Sequence, residues 1–388
     1  MRPRAFDPVR LSDIPLSHHA TRLSFFFAGF VMAVWAALVP FAKSRLGMDE
    51  GSFGLLLLCV GLGALVTMPF FGMLVARSGC RPILACALPA ALFLPAAVSL
   101  MSSSWAAAAL LVLFGVAFGA VDVSMNVHSV AVEKAAGRKL LSGFHALYSV
   151  GGVAGALLMT TLLNFSTPPW LAALLLAAAA SLVWLAASRW VLPDAGKSER
   201  SAKQRFVFPK GAILVIGLLT GVMFLVEGSI LDWGAVFLSE SKGADMENAS
   251  LGFAAFSAAM TVMRLVGDRL IMRFGPRRTT IWGSLIAAAA IVAAVLVPSP
   301  GPAMAAFFII GAGIANIVPI LFASSGEQDE MPMSLALASI TTLGYAGLLA
   351  GPAVIGAVAH AASLPTALLG EAMLLVAAAA AANRVIRR

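Results

Sequence analysis

The chain has 388 residues, 60% of them hydrophobic and 11% charged. No soluble domain of that length could bury so much apolar surface in one core. The net charge of +8 does not read as nucleic-acid affinity, because the basic residues are scattered among short joints between apolar runs rather than gathered beside stacking aromatics.

Residues 1–22 carry Arg2, Arg4, Arg10 and Arg22 and no apolar run, so the chain is not expected to open on a cleavable signal peptide. The first span is expected to act as an uncleaved insertion signal. A hydrocarbon core of about 30 Å is crossed by roughly 20 apolar residues at about 1.5 Å each. Stretches of that kind are predicted at 21–44, 51–76, 81–101, 104–130, 141–163 and 168–190. They resume at 210–239, 248–274, 278–298, 302–325, 332–359 and 363–384. Lipid offers no partner to unpaired backbone groups, so all twelve are predicted to be helices. The alternation that a transmembrane barrel needs is missing. Cys59, Cys80 and Cys86 lie in or beside spans without metal-ligand spacing and read as reduced packing residues; no metal site is expected.

If both termini face the cytoplasm, 22 of the 26 Lys and Arg residues fall on the inner side. The outer loops then hold only Lys43, Arg45 and Lys242, and Arg264 lies inside a span. That asymmetry predicts a multi-pass inner (plasma) membrane protein with both ends inside. The longest polar segment, 193–209, is read as a cytoplasmic linker, flexible or carrying a short surface helix. It divides the chain into an N-terminal six-helix bundle (1–192) and a C-terminal one (210–388). The halves carry a weak repeat: Arg77, Gly79 and Arg81 after span two match Arg273, Gly275 and Arg277 after span eight at a constant offset of 196.

On these features the chain resembles the major facilitator superfamily over essentially its whole length. The family's loop signature G-x-L-x-D-R-x-G-R-R is met by Gly72, Leu74, Arg77, Gly79 and Arg81, with Ala76 in place of the Asp. The resemblance implies a cytoplasmic gate at Gly72, Arg77, Gly79, Arg81, Asp268, Arg273, Gly275 and Arg277. In it glycine permits close helix approach and the arginines bond helix C-termini across the half–half interface. A topology determinant alone is the alternative reading. Gly119-Ala120-Val121-Asp122-Val123-Ser124-Met125-Asn126 and Ser142–Gly152, with His145 and Tyr148, are similar to segments of fucose-permease-like sugar–proton symporters. Glu227-Gly228-Ser229-Ile230-Leu231-Asp232-Trp233 resembles a pattern of MosC-like membrane proteins. Residues 23–42 lack the acid that fucose permease carries in span one.

Ionisable groups inside a span cost about 2.5–3.5 kcal/mol at the helix centre, so their presence points to a transport path. Asp122 lies about 12 Å of rise from the inner end of span four, with Asn126 at i+4 on the same face. Asp122 is expected to be the coupling acid and Asn126 to bond the solute or the protonated acid; a structural bond to a neighbouring helix is the alternative. Glu227 falls about 25 Å along span seven, and Asp232 lies further out. Arg264 and Asp268 are spaced i,i+4 and either neutralise each other or let Arg264 switch between Asp268 and Glu227. His145 and Tyr148 face either the cavity or an interface. Trp35, Trp233 and Tyr345 are candidates for stacking on a sugar ring or for aromatic packing, and Asn316 is a candidate polar wall residue. Glu371 and His360 are expected to lie apart from the path. Gly344, Gly347, Gly351, Pro352 and Gly356 in span eleven read as close packing with a kink. Gly151, Gly152 and Gly155 in span five lack the proline of drug–proton antiporters.

The chain lacks the Walker pattern and H-E-x-x-H, and its Ser, His and Asp residues suggest no hydrolytic set. The expected protein is an all-α membrane protein and no enzyme. It has twelve helices in two pseudo-symmetric six-helix bundles and no cofactor beyond a proton gradient. It is expected to act as a monomer that binds a small-molecule substrate within the lipid bilayer. Its expected activity is proton-coupled movement of a small polar, sugar-like solute by alternating access. A proton-driven exporter of drugs or amphipathic metabolites, and a non-transporting sensor or scaffold, are the alternatives.

Overall fold

Twelve helices long and apolar enough to cross a membrane make up most of the described residues of this computed structural model, which are 14–197, 209–325, 328 and 333–386. The first six are α1 (Ile14–Leu46), α2 (Glu50–Ser78), α3 (Cys80–Val98), α4 (Ser104–Ala136), α5 (Leu141–Asn164) and α6 (Pro169–Ser188). The second six are α7 (Gly211–Asp232), α8 (Leu251–Phe274), α9 (Pro276–Leu296), α10 in two pieces (Pro300–Ile314 and Ile317–Ser325), α11 (Met333–Ala361) and α12 (Leu364–Val385). Every predicted span finds its helix. Of the expected linker, 198–208 lie outside the described residues, as do 1–13 and the terminal Arg387 and Arg388.

Local chemistry sets several ends that hydropathy placed differently. Polar residues His128, Ser129, Glu133 and Lys134 carry α4 past the apolar run to Gly137, which caps it at φ +63°. The Glu133 carboxylate then accepts from the backbone N–H groups of Leu140 (2.6 Å) and Leu141 (2.9 Å), satisfying orphan donors at the start of α5. The helix α7 stops at Asp232, and the chain continues as one helical turn (Gly234–Val236) and a π segment (Phe237–Ser241). The two repeated turns have the same backbone: Gly79 has φ 82° and Gly275 φ 80°, and each donates its N–H to the carbonyl four residues back at 2.8 Å. A side chain would be strained at either position.

Within each half the same helix pairs touch backbone to backbone. A Cβ on Gly151 of α5 would lie 1.9 Å from the Phe26 carbonyl oxygen of α1. At the equivalent place in the second half, one on Gly347 of α11 would lie 2.1 Å from the Gly221 carbonyl oxygen of α7. Lipid tails are as apolar as leucine, so burial does not draw such helices together and close packing of small residues must.

The beginning of the linker is fastened down. His128 accepts at Nε2 from the Leu192 N–H (3.0 Å), and its Nδ1 lies 3.1 Å from the Thr21 hydroxyl of α1. Cys80 N–H donates to the Ala195 carbonyl at 3.0 Å. Residues 192–197 are therefore seated on the end of the first bundle rather than flexible.

The halves meet most tightly at the face away from the chain ends. Lys43, 7% exposed, reaches from α1 to both carboxylate oxygens of Glu240 at 2.8 Å and to Glu50 at 3.1 Å. Thr160 and Ser250 share a hydrogen bond of 2.8 Å, Asn164 donates to Asn248 at 3.0 Å, and His360 lies 3.2 Å from Asp49. A Cβ on Gly356 of α11 would lie 2.5 Å from the Glu50 carbonyl oxygen of α2. These contacts close the far face, and the space between the halves opens toward the face where α1 begins and α12 ends.

Two outcomes follow from this packing. Gly151→Val should abolish the monodisperse peak in size-exclusion chromatography, because its Cβ meets a carbonyl. Gly72→Ala, whose Cβ meets nothing within 4 Å, should keep that peak. Lys43→Met should leave Glu50 and Glu240 facing each other, a loss of about 1–3 kcal/mol in the closure of the far face. Spin labels at Ser44→Cys and Ser241→Cys, in a background free of other cysteines, should then show a longer-distance population that the parent lacks.

Candidate functional site

A cavity of about 770 Å³ lies between the halves, walled by α1, α2, α4 and α5 on one side and by α7, α8, α10 and α11 on the other. Of the residues singled out from the sequence, Trp35, Asp122, His145, Tyr148, Glu227, Asp232, Arg264, Asn316 and Tyr345 border it. Polar side chains in the middle of apolar helices therefore converge on one space.

Asp122 sits near the middle of α4, and both its oxygens are occupied. Oδ1 accepts from Asn126 Nδ2 at 3.2 Å, one turn along the same helix. Oδ2 accepts from the Tyr345 hydroxyl of α11 at 2.9 Å. Asn126 also donates to the Asp122 backbone carbonyl at 2.9 Å, which holds its side chain against the acid and off the cavity wall. Tyr345 was expected as a stacking ring or a packing residue; its hydroxyl ties one half to the other, and its ring stands edge-on to Phe224 at 5.9 Å.

Arg264 departs from both expectations for it. It forms no ion pair within 4.0 Å to Asp268 or to Glu227, and Nη1 instead donates to Ser149 Oγ of α5 at 3.2 Å. The spacing of i+4 puts Asp268 a turn nearer the open rim, where it is exposed, while Arg264 turns inward across the interface. Ser149 thus belongs to the site, and only its place in the Ser142–Gly152 segment hinted at it. Two polar bonds, Tyr345–Asp122 and Arg264–Ser149, bridge the halves at mid-depth.

Glu227 and Asp232 border the cavity, and among the described residues neither has a hydrogen-bond or ion-pair partner. Tyr148 lies within electrostatic range of Glu227, Asp122 and Arg264. His145 packs edge-on to Phe25 at 5.0 Å and presents the rest of its ring to the cavity. Trp35 is 1% exposed, and among the described residues its buried indole N–H has no partner. Asn316 occupies the break between the two pieces of α10, donating to the Met263 carbonyl of α8 at 3.0 Å. Trp233 does not border the cavity. Because α7 ends one residue before it, its ring is buried at the closed end, donating to the Pro352 carbonyl at 3.2 Å and standing edge-on to Phe53. Glu371 is also off the cavity, accepting from Ser229 Oγ at 2.9 Å.

The expected gate is not assembled across the halves here. Arg81 donates to the Arg189 carbonyl at the end of α6, and Arg277 to Asn383 Oδ1 near the end of α12. Each arginine does meet a helix C-terminus, but in its own half, since opening on this side moves the other half away. Arg273 lies over the Phe274 ring at 5.6 Å. Gly72 brings no helix close. Asp268 stands at the rim. The far-face set of Lys43, Glu50, Glu240, Thr160 and Ser250 was not foreseen, because partners such as Lys43 and Glu240 are 197 residues apart. No group of three or more His, Cys, Asp or Glu among the described residues could hold a metal ion.

The family model described as Major Facilitator Superfamily matches residues 23–352. An uncharacterized MFS-type transporter of Yersinia pestis is 46% identical over 369 residues, covering 95% of each chain. Membrane protein MosC of Rhizobium meliloti is 29% identical over 356 residues, covering 90% of this chain and 85% of that one. The solved structure of the nucleoside transporter NupG (D323A mutant) superposes with a TM-score of 0.77 at 15% identity, over 96% of this chain and all of that one. At that identity the likeness is one of fold. Twelve spans, a shared central cavity and a match over most of the length agree: the chain belongs to the major facilitator superfamily, as a multi-pass membrane transporter and not an enzyme.

Proposed function

We propose that this protein carries a small polar, sugar-like solute across the inner membrane by alternating access coupled to protons, with Asp122 as the coupling acid. The Tyr345–Asp122 bond is the observation that supports this most. An ionised Asp122 accepts from Asn126 and Tyr345 together and so fastens α4 to α11. A protonated Asp122 has its own O–H to donate and one acceptor fewer, which weakens the hold on Tyr345 and frees the phenol for a solute hydroxyl. Proton, solute and the fit between halves then bear on one bond, which is what coupling requires. Arg264–Ser149 is the matching connection on the α5–α8 side.

In this reading the open face is cytoplasmic, on the strength of the basic residues gathered there, and the structure is an inward-open state. The six-helix bundles 1–192 and 210–388 rock about their central contacts with the linker 193–209 between them, and the protein works as a monomer. A second reading, proton-driven export of amphipathic compounds, draws on the Phe118, Phe224, Phe253, Phe256, Met223 and Met260 side chains in the wall. The direction of solute movement relative to an imposed proton gradient separates the two.

A panel of sugars, nucleosides and cationic drugs, scored by thermal stabilisation of the purified protein, identifies a solute for uptake into proteoliposomes. Asp122→Asn should then abolish accumulation driven by a pH gradient while solute exchange persists; accumulation equal to that of the parent would remove Asp122 from the coupling. Tyr345→Phe should lose a bond to a charged acceptor, about 1.5–3 kcal/mol. It should therefore lower the ratio of inward-open to other states by tenfold or more, read from label distances across the open face.

A further inference from the structure

The repeat at an offset of 196 residues extends from the turns into the helix packing. A Cβ on Gly115 of α4 would lie 1.9 Å from the Val60 carbonyl oxygen of α2, and one on Gly311 of α10 would lie 2.5 Å from the Phe256 carbonyl oxygen of α8. Both members of the second pair stand 196 residues after those of the first. Five residues further on, the halves differ. The first has Ala120 in an unbroken α4, whereas the second has Asn316 at the break in α10. Pro319 accounts for the break, since it has no N–H to give the Ala315 carbonyl. The equivalent of Pro319 is Val123, and that of Gly267 is Phe71. One half is built without them, so the packing itself requires neither the break nor the asparagine.

What the second half gains at that point is a hold on α8. The Asn316 carboxamide lies against that helix: Nδ2 donates to the Met263 carbonyl at 3.0 Å, and Oδ1 takes the room that Gly267 leaves. A Cβ on Gly267 would lie 2.2 Å from that oxygen. The turn gripped in this way, 263–267, carries Arg264, where the first half has Met68. Arg264 is the residue that crosses to Ser149 of the other half at 3.2 Å. An α-helix turns about 100° per residue, so a slip of one residue in the seating of α8 would swing the guanidinium off Ser149. At the equivalent positions of the first half, Ala120, Phe71 and Met68 can make none of these polar contacts. The break, the grip and the cation occur together.

We propose that Asn316 is a positioning residue: by pinning the 263–267 turn of α8 to the break in α10, it sets Arg264 on Ser149 and so tunes the bond that joins the halves on the α5–α8 side. Gly267 is its counterpart, kept without a side chain to admit the carboxamide. This rests on the reading of Arg264–Ser149 as a connection that the transport cycle makes and breaks, and adds the residue that seats it.

The states are measured on the purified full-length protein, without solute or gradient, from distances between spin labels at Lys139→Cys and Arg278→Cys in a background free of other cysteines. Both positions are exposed on the open side, one in each half. Ser149→Ala should lower the ratio of inward-open to other states fivefold or more. Asn316→Ala, which installs the residue of the first half, should lower it threefold or more, and Gly267→Ala should do the same by expelling the carboxamide. Added to Ser149→Ala, the change Asn316→Ala should alter the ratio by less than twofold, because the bond it serves is already gone. Added to Tyr345→Phe it should act in full, because that bond joins other helices. Asn316→Ala creates no overlap, so the test stands even if Gly267→Ala does not fold. An unchanged ratio in Asn316→Ala, an effect as large with Ser149→Ala as without it, or an effect lost equally in Tyr345→Phe would each overturn the proposal. An unchanged ratio in Ser149→Ala would instead remove the Arg264–Ser149 bond from the cycle, and this role of Asn316 with it. Since no gradient is present, each of these results leaves Asp122 as coupling acid standing.

Discussion

One constraint shapes the fold: hydrocarbon cannot hydrogen-bond, so backbone and charged groups within the membrane are favoured where protein or a wet cavity satisfies them. The backbone meets it by forming helices throughout. Side chains meet it largely by convergence: Asp122, Glu227, Asp232 and Arg264 turn to one space between the halves rather than to lipid. Where the backbone is irregular, at the break in α10, Asn316 spans the gap to the α8 backbone. Glu371, away from the cavity, is buried against Ser229 of α7. The positions of polar groups thus follow from the solvent, and the functional site is where several of those solutions coincide.

The interface between the bundles is graded along its depth. Charged and polar contacts close the far face, and two polar bonds cross the middle. The mid-depth bonds are few, which in the proposed cycle makes them suited to be contested by proton or solute. In the proposed cycle the far-face contacts would have to be broken together before the opposite opening forms, which would make the transition cooperative.

Much of this was legible before any coordinates. Long apolar runs dictated the spans, since length and hydropathy decide insertion almost alone. The repeat at offset 196 anticipated two glycines whose φ angles differ by 2°. Asp122 and Asn126 were placed together because i,i+4 arithmetic holds within a helix. The same arithmetic misled at Arg264, whose partner lies on another helix, and spacing along one chain says nothing about that. Trp233 was assigned to a span that stops one residue short of it. Lys43 and Glu240 gave no sign of each other because an interface between halves leaves no periodic trace in either.

The anchoring of residues 192–197 also sets a limit on motion. Because an imidazole that accepts at Nε2 donates from Nδ1, His128 locks the start of the tether to α4 and α1 through a bond network of fixed polarity. The leash between the bundles is therefore paid out from Lys197 and not from Pro193. Twelve peptide units remain before Pro209, a reach of at most about 40 Å. Any swing of one bundle relative to the other has to be completed inside that radius.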